Sequence, residues 1–383
     1  MNEAITIAGV TPARTLVPAD RVELAAIVRD LAAAGKTFAF VGGGTELELG
    51  NAPRALDAVV RTTSLDRVVD YSPEDQTITV EAGMRLAALD AVLAQHGQVL
   101  PIETGDRANA TVGGAIATNA FGAQRHRYGS IKDLIVGIEI VRADGVIARS
   151  GGKVVKNVAG FDLPKLMVGS LGTLGGIASA TFRVFPVPAE TRAVFAHAAP
   201  DSAFYGAVID DPSLEPIAVA HYPAHGGIAF TFAGLAASVA GQLAHLAALA
   251  ATHRVAIDAI DAERQKTFAQ LERDVRITGA WRWTERSSMA AARDPQPVPI
   301  TTVSDVRYPT LGVALASGAD SEALDAFARE PARGRVFRSM PLRARERIDA
   351  WGPPPPAFAL MQALKRNFDP RGLCNPGRFV GGL

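Results

Sequence analysis

The sequence has a single cysteine, Cys374, among its 383 residues. One thiol cannot form an intrachain disulfide, ligate an iron–sulfur cluster by itself, or build a structural zinc site from cysteines. The chain also lacks a charge excess, since Lys plus Arg and Asp plus Glu both count 39. A nucleic-acid-binding protein would normally carry a basic excess, so this class is disfavoured.

Long apolar runs are also missing, because no stretch reaches the roughly 18 apolar residues of a membrane-spanning helix. The start, MNEAITIAGV, has no basic segment followed by an apolar one, so we expect no signal peptide. Hydrophobic residues nevertheless make up 48% of the chain, which is enough for a sizeable core. We therefore expect a cytoplasmic protein of two or three domains, at about 100–200 residues per domain.

Short strands and short helices are mixed over residues 1–188, which indicates an α+β domain. The residue pattern predicts helices over 20–35 and 86–97, and strands over 37–41, 76–83, 134–151 as a hairpin, and 176–187. Residues 189–345 have longer helical stretches, such as 235–253, and we take them as a second domain. Residues 346–383 form a C-terminal segment in which a proline run precedes a short helix. We find no internal repeat.

The 36 glycines are concentrated in three clusters. The first cluster, VGGGT over 41–45, follows a predicted strand, and successive backbone N–H groups in such a loop can bind an anion such as a pyrophosphate. It has neither the Gly-Lys-Ser/Thr of a P-loop nor the spacing of a dinucleotide-binding fingerprint. A plain glycine turn is the alternative.

The second cluster, over 104–122, consists mainly of small residues. A helix that begins near Thr111 would direct free N–H groups towards an anion, and small side chains would let a flat ring approach. Tight backbone packing is the alternative. The third cluster covers 151–177, where Lys153 and Lys156 either attract an anionic ligand or are simply solvated.

Together the clusters resemble the FAD-binding domain of the vanillyl-alcohol-oxidase/PCMH superfamily, and within it the glycolate and D-lactate oxidase branch. The resemblance is carried by VGGGTELELG (41–50), TVGGAIATNAFGAQRHRYGSIKDLIVGIEIVRADG (111–145), GGKVVKNVAGFDLPKLMVGSLGTLGGI (151–177) and FDPRGLCNPGR (368–378). The length and the third stretch look most like the smaller, E-type FAD-binding subunit of glycolate oxidases. The resemblance implies a PCMH-type FAD-binding domain of two α+β subdomains over 1–188, a cap-like α+β domain over 189–345, and a segment over 346–383 that returns to the flavin.

The resemblance also implies a binding site for FAD. Its residues would be Gly42, Gly43, Gly44, Thr45, Thr104, Gly105, Asp106, Thr111, Gly113, Gly114, Thr118, Asn119, Gly122, Tyr128, Gly169, Ser170, Gly172, Thr173, Gly175, Ile177, Asn375 and Arg378. The first glycine loop would hold the pyrophosphate, and a cation at Arg378 would stabilise the reduced flavin. An ordinary surface arginine is the alternative for Arg378. We expect non-covalent FAD, because the first loop lacks the histidine that attaches the flavin in many relatives, and we expect Cys374 to be a small buried residue.

The catalytic residues stay open. Catalytic D-type subunits of the branch carry a His-rich GDGN-x-H-like motif, whereas this chain has only HYPAHGG over 221–227. His221 and His225 would share a metal only on a helix, which Pro223 disfavours, so we expect no metal. His126 is the best single candidate for an acid or base, beside Arg378, and a positioning or surface role is the alternative.

The segment Trp281-Arg282-Trp283 allows two interpretations. The arginine between two aromatic rings could clamp a carboxylate or meet a partner. The alternation is also typical of a half-buried strand with both tryptophans on its core face. We favour the strand.

Three functions remain open. In the first, the chain is the FAD-binding subunit of a glycolate (2-hydroxy acid) oxidase complex, with a catalytic D-type FAD subunit and an iron–sulfur subunit as partners. In the second, it is a self-sufficient flavin oxidoreductase of the same fold, which needs a base such as His126. In the third, it is a non-catalytic assembly module that FAD only rigidifies. A complex of the first kind could reach the inner face of the membrane through its partners.

Overall fold

The computed structural model describes residues 5–152, 162–277, 281–286, 302–318, 324, 328 and 335–383, without the side chains of 283, 285, 286 and 302–304. The chain divides into two compact units. Unit 1 consists of Met1–Ala120, Ser130–Pro186 and Leu342–Leu383, and unit 2 of Phe121–Gly129 and Val187–Pro341. Segment 121–129, which the sequence interpretation put in the first domain, packs with unit 2. The predicted domain limits at 188 and 345 stay predictions. Lys153 and Lys156 lie outside the described residues.

Unit 1 mixes short strands and short helices. Its strands are β1 Arg14–Leu16, β2 Phe38–Val41, β3 Ala58–Arg61, β4 Val68–Ser72, β5 Thr77–Glu81, β6 Gln98–Val99, β7 Ile135–Val141, β8 Ile147–Gly151, β9 Gly176–Arg183 and β10 Phe185–Pro186. Its helices are α1 Arg21–Ala33, α2 Leu86–Ala94, α3 Val112–Thr118, α5 Ile131–Leu134, α6 Leu163–Met167, α10 Leu342–Arg345 and α11 Phe358–Phe368. α4, Arg125–Tyr128, lies in the segment assigned to unit 2.

The strands of unit 1 form two main sheets. β1, β3 and β2 pair in parallel in the order β1-β3-β2, and β4-β5-β9-β7-β8 form an antiparallel sheet. β6 and β10 pair separately. A parallel bridge between Phe38 and Cys374 brings the C-terminal segment beside β2. Residues that are far apart in sequence therefore meet at the end of β2, where the glycine loop begins.

Helix α1 shows why local sequence patterns predict the secondary structure of unit 1. The Asp20 side chain accepts hydrogen bonds from the backbone N–H groups of Val22 (2.8 Å) and Glu23 (2.9 Å), which caps the helix. Leu24 and Leu31 on its apolar face are fully buried. The helix predicted over 20–35, the helix at 86–97 and the 134–151 hairpin are all confirmed.

Unit 2 is built on one large antiparallel sheet. Its strands are β11 Glu190–Ala196, β12 Ala218–Tyr222, β13 Gly227–Gly234, β14 Ile257–Ala259, β15 Trp281–Arg286, β16 Thr302–Tyr308, β17 Val313–Gly318 and β18 Val336–Ser339. Its longer helices are α7 Ala203–Asp210, α8 Ala236–Thr252 and α9 Ala262–Ile277. The described strands follow the order β14-β11-β13-β12-β16-β17-β15-β18. The helix predicted over 235–253 is confirmed by α8.

The sheet of unit 2 contains an internal structural repeat, which the sequence does not show. From the centre outward, one half runs β12, β13, β11, β14 and the other β16, β17, β15, β18. Each central hairpin has a Tyr-Pro pair, a 3-10 turn and a left-handed glycine, Gly226 (φ 66°) or Gly312 (φ 60°). The two halves share only these few residue types, too short a match to see in the sequence.

Helix α9 contacts both copies of this motif. Glu272 accepts a hydrogen bond from the hydroxyl of Tyr222 (2.9 Å), and Arg276 donates to the hydroxyl of Tyr308 (3.0 Å). The two α9 side chains are four residues apart and therefore lie on one helix face. None of the described helices is long and apolar enough to cross a membrane.

Candidate functional site

The candidate site is a cleft in unit 1 with about 790 Å³ of space, including the part that opens to solvent. The predicted site residues that line it are Gly42, Gly43, Gly44, Thr45, Thr111, Gly113, Gly114, Thr118, Gly172, Gly175, Ile177, Asn375 and Arg378. Four chain segments thus meet around one space.

The first glycine loop combines close packing with available backbone donors. A Cβ on Gly42 would lie 2.0 Å from Oγ1 of Thr111, and one on Gly43 would lie 1.8 Å from the carbonyl oxygen of Asn109. These two glycines are therefore required by the neighbouring loop. Gly44 adopts φ 76°, and within the described residues the backbone N–H groups of Gly44 and Thr45 have no protein acceptor. These two N–H groups remain for a ligand.

The start of α3 does not offer the free donors that the sequence predicted. The N–H of Val112 donates to the carbonyl of Met84 (2.9 Å), and that of Gly113 to the carbonyl of Ala82 (2.7 Å). The N–H of Gly114 points to Oγ1 of Thr111 at 3.3 Å. The expectation of an anion site at this helix start is wrong, because neighbouring backbone carbonyls take the donors. Here the close-packing alternative holds.

The segment 169–175 docks on the C-terminal end of α3. The N–H groups of Gly169 and Leu171 donate to the carbonyls of Ile116 (2.9 Å) and Ala117 (3.0 Å), which lie in the last turn of the helix. Asn119 ends α3 in a left-handed conformation with φ 50°. Gly169, Ser170, Thr173 and Asn119 therefore support the wall of the cleft from behind, whereas Gly172 and Gly175 line it.

Asn375 and Arg378 bring the C-terminal segment to the cleft. Asn375 is 5% exposed, and its Nδ2 donates to the carbonyl of Leu171 (2.6 Å). Arg378 is 3% exposed and donates to the carbonyls of Asn51 (2.9 Å) and Leu47 (3.1 Å). The alternative of a surface arginine is therefore wrong. Oδ1 of Asn375 and Nε of Arg378 are buried and have no hydrogen-bond partner within the described residues.

A second buried arginine lies beside Arg378. Arg345 donates to the backbone carbonyls of Glu48 (3.1 Å) and Gly50 (2.9 Å) and pairs with the Glu48 carboxylate. Burial lowers the pKa of Arg378 to about 10, and the positive charge of Arg345 adds to the shift while Glu48 opposes it. Arg378 is still protonated at neutral pH. The Glu48 carboxylate pairs with Arg345, whereas Arg378 has no ion pair within the described residues, which favours an anionic group in the cleft.

Other predicted residues are not among those that line the cleft. Asp106 organises its own loop by accepting hydrogen bonds from the backbone and side chain of Asn109, and its neighbours Thr104 and Gly105 do not line the cleft. Gly122, His126 and Tyr128 belong to unit 2. His126 is half-buried, and burial lowers its pKa, so the neutral imidazole is favoured.

The candidate metal ligands and the Trp-Arg-Trp segment of unit 2 lie in regular secondary structure. His221 lies on β12 and His225 in the 3-10 turn that follows, so they do not form the helical pair that a metal would require. The described residues contain no cluster of three or more potential metal ligands. The strand interpretation of the Trp-Arg-Trp segment is confirmed by β15, where Trp281 is fully buried and Arg282 donates to Oγ of Ser339 (2.9 Å).

Cys374 is fully buried, as predicted, and burial raises the pKa of its thiol. The sequence interpretation missed several residues around the site. Phe40 lines the cleft and packs on the glycines at 172 and 176. Lys365 and Asp369 form a buried ion pair behind the wall (2.7 Å). The sequence signal that could have indicated this ion pair is a lysine on the largely apolar face of α11.

The lining suits a cofactor with an anionic part and a flat apolar part. Within the described residues, buried side-chain atoms of Asn375 and Arg378 have no partner, and the N–H groups of Gly44 and Thr45 have no protein acceptor. Apolar side chains complete the lining, namely Ile7, Phe40, Val41, Leu47, Leu171 and Ile177. A buried polar atom without a partner is costly unless a ligand or water satisfies it. The residues present therefore fit a dinucleotide of this type.

Comparisons with known proteins agree with this geometry. Residues 12–151 match the family model described as FAD binding domain. The chain is 33% identical over 177 residues to D-2-hydroxyglutarate dehydrogenase of Xanthomonas citri, covering 46% of this chain and 38% of that protein. It is 40% identical over 122 residues to glycolate oxidase subunit GlcE of Escherichia coli, covering 32% and 35%. These matches span well under half the length of those relatives.

Among solved structures, an alkyldihydroxyacetonephosphate synthase superposes with a TM-score of 0.67 at 16% identity, covering 94% of this chain and 75% of that one. This likeness concerns the fold. The predicted α+β fold with a PCMH-type FAD-binding domain is confirmed. The chain thus contains a FAD-binding domain, and its cofactor is FAD.

Proposed function

We propose that this chain is the FAD-binding subunit of a complex that oxidises glycolate or D-lactate to the 2-oxo acid. The observation that carries the proposal is the cleft of unit 1, which is lined by Asn375, Arg378, Gly44 and Thr45. Within the described residues, buried atoms of Asn375 and Arg378 have no partner and the N–H groups of Gly44 and Thr45 have no protein acceptor. Relatives named as a 2-hydroxy-acid dehydrogenase and a glycolate oxidase subunit support the choice of substrate class.

Each part of the cleft has a role in holding the cofactor. FAD, when bound, accepts the electrons of the oxidation and passes them on. Gly44 and Thr45 would bind its diphosphate through their backbone N–H groups. Phe40 and Ile177 would exclude water from its ring. Arg378 keeps a positive charge in a water-poor site, which stabilises negative charge on whatever binds there.

A role as one subunit among several is supported by what lines the cleft. Of the described lining residues, only Glu46 and Arg378 are ionisable, and none is a histidine or lysine. Removal of a proton from a 2-hydroxy acid calls for a base in reach of that proton. A catalytic D-type partner would supply it. An iron–sulfur partner would carry the electrons on, because the one cysteine of this chain is buried.

The proposal also includes non-covalent FAD, because no described lining residue is a histidine, cysteine or tyrosine that could attach the flavin. It further includes a cytoplasmic complex that reaches the inner face of the membrane through its partners. A self-sufficient oxidoreductase is the second candidate. Its base would be His126, a half-buried imidazole that is neutral and able to accept a proton.

The test is the visible spectrum of the purified chain, followed by anaerobic addition of glycolate and of D-lactate. We expect flavin bands that stay oxidised with either acid and bleach once the D-type and iron–sulfur partners are added. Heat denaturation should release the flavin into the supernatant. Bleaching in the isolated chain would establish the self-sufficient enzyme instead. Bound flavin that never bleaches, even with partners, would indicate the assembly module.

A further inference from the structure

Lys365 is buried on α11 although lysine is among the residues least often buried. It is 9% exposed and lies on the helix face that also carries Phe358, Met361 and Phe368. A lysine in such a place needs partners for its charge and for all three donors of its ammonium group.

The ammonium group of Lys365 has three partners from three places in the chain. Nζ donates to the carbonyl of Thr173 (2.7 Å), to Oδ2 of Asp369 (2.7 Å) and to the carbonyl of Cys374 (2.9 Å). Every donor is used, so Lys365 has none left for a ligand. Any effect on the cleft must pass through the two carbonyl groups and the carboxylate.

The Thr173 carbonyl belongs to a tight turn that forms one wall of the cleft. Both the backbone N–H of Thr173 (3.0 Å) and its hydroxyl (2.7 Å) donate to the carbonyl of Ser170. Leu171 and Gly172, inside this turn, line the cleft. A bond that fixes the Thr173 carbonyl therefore fixes the position of that wall.

The Cys374 carbonyl and Asp369 hold the adjoining wall, where Asn375 also donates directly to the carbonyl of Leu171 (2.6 Å). The Asp369 carboxylate accepts hydrogen bonds from the backbone N–H groups of Leu373 (2.9 Å) and Cys374 (2.8 Å). The next residue, Asn375, donates its N–H to the carbonyl of Phe38 (2.7 Å) and lines the cleft together with Arg378. One ammonium group therefore joins the walls that carry Leu171–Gly175 and Asn375–Arg378.

A contribution to stability alone is a poor explanation for this ion pair. Replacing a buried ion pair by apolar residues is often neutral or stabilising, so burial of the charges gains little by itself. What an apolar pair cannot reproduce is donation to two backbone carbonyls and acceptance from two backbone N–H groups. The specific gain of the pair is the fixed spacing of the two walls.

We propose that Lys365 and Asp369 form a positioning pair for the FAD site, which sets the spacing between the turn at 170–173 and the segment 375–378. The inference rests on the assignment of the cleft to FAD. Neither side chain contacts the cofactor under this proposal. Removal of groups that orient metal ligands typically changes metal affinity by about 10–100-fold, and we expect an effect of similar size on FAD affinity here.

The experiment measures the FAD dissociation constant of the deflavinated full chain by fluorescence titration, together with the melting temperature of the apoprotein. Lys365→Met should raise the dissociation constant at least about tenfold, at a temperature well below its melting point. Arg366→Met is the matched control, because it removes a neighbouring charge from the exposed side of the same helix and should leave the dissociation constant unchanged. Lys365→Arg keeps the cation and should recover most of the affinity.

A purely structural role would lower the melting temperature of K365M and leave the FAD affinity of the folded protein at the level of the control. That result overturns the proposal. If K365M does not fold, Asp369→Glu carries the test, because it keeps both charges but moves the carboxylate from the N–H groups of Leu373 and Cys374. A dissociation constant for D369E equal to that of wild type then overturns the proposal, and a rise of about threefold or more supports it. A wild-type apoprotein that binds no FAD overturns the cleft assignment as well.

Discussion

The two units both bury charged side chains, but the partners of those side chains differ. In unit 1, Arg345, Lys365 and Arg378 donate mainly to backbone carbonyls in irregular segments around the cleft. In unit 2, Arg276 and Arg282 bond to other side chains, the hydroxyls of Tyr308 and Ser339.

The difference follows from how each backbone is satisfied. Nearly every buried backbone polar group needs a hydrogen-bond partner. In unit 2 the long antiparallel sheet supplies those partners, so polar side chains pair with one another. In unit 1 the chain leaves regular structure to surround a cleft. Buried cations there donate the hydrogen bonds to backbone carbonyls that a neighbouring strand would otherwise donate. A change at the cleft should therefore affect ligand binding, whereas an equal change in the sheet should affect stability alone.

The largest expected effects come from a matched pair of core truncations, which test whether the two units differ in their influence on FAD binding. Phe38 in unit 1 and Phe230 in unit 2 are both fully buried. Either Phe→Ala change should lower the free energy of unfolding by about 3–5 kcal/mol. Only Phe38→Ala should also weaken FAD binding, because Phe38 packs edge-on against Phe40 (5.5 Å between ring centres), which lines the cleft.

Denaturant unfolding of both variants and FAD titration of the folded proteins give the two readouts. The contrast fails if F230A loses as much FAD affinity as F38A. It also fails if F38A binds FAD as tightly as wild type. Wild-type protein titrated at the same temperature is the reference for both variants.

A second prediction concerns how the stability of the unit 2 sheet depends on pH. Burial lowers the pKa of His221 on the unit 2 sheet to about 4, and the charge of Arg307 adds to the shift. The unfolded chain, with an ordinary histidine pKa of about 6.5, binds the proton first as the pH falls. Stability should therefore decrease between about pH 6.5 and pH 4, by up to about 3 kcal/mol.

His221→Leu should remove most of this loss and leave stability at neutral pH nearly unchanged. Urea unfolding at pH 7, 5.5 and 4 measures it. Burial also lowers the pKa of His126, so a smaller dependence of the same sign should remain. A variant whose stability falls with pH as steeply as wild type would show that His221 titrates normally.

A structural feature was predictable from the sequence where the residues that determine it lie close together along the chain. α1 and the hairpin of β7 and β8 were predictable because spacing, an Asp cap at residue 20 and an Asp-Gly turn at 144–145 lie within a few residues. The repeat in unit 2 was not, because its halves keep the strand order while sharing little beyond a Tyr-Pro pair and one glycine.

The cleft shows the same division. The glycine loop at 42–45 and the C-terminal Asn375 and Arg378 could be singled out by resemblance to a family. Which donors stay free could not, because Ala82 and Met84, about 30 residues away in sequence, supply the carbonyls that occupy the start of α3. The Lys365 contacts depend on Thr173, 192 residues earlier. Long-range partners of this kind leave no periodic signal.

The smallest predicted effect compares two glycines with similar positive φ angles. Gly44 in the cleft loop has φ 76° and Gly226 in a unit 2 hairpin has φ 66°. A Cβ at Gly226 would meet nothing within 4 Å, and one at Gly44 would meet only the Leu47 side chain at 3.6 Å. Each Gly→Ala change should therefore cost about 1–2 kcal/mol of stability through backbone strain alone.

The two variants should separate in FAD binding. Strain at residue 44 is relieved by rotating the backbone, which turns the N–H groups of Gly44 and Thr45 away from the position where they can bind a diphosphate. We expect G44A to raise the FAD dissociation constant by about three- to tenfold, equivalent to about 0.6–1.4 kcal/mol, and G226A to leave it unchanged. Thermal unfolding and FAD titration measure both. Equal affinities in the two variants would mean that this loop only turns the chain, and that the diphosphate is held elsewhere in the cleft.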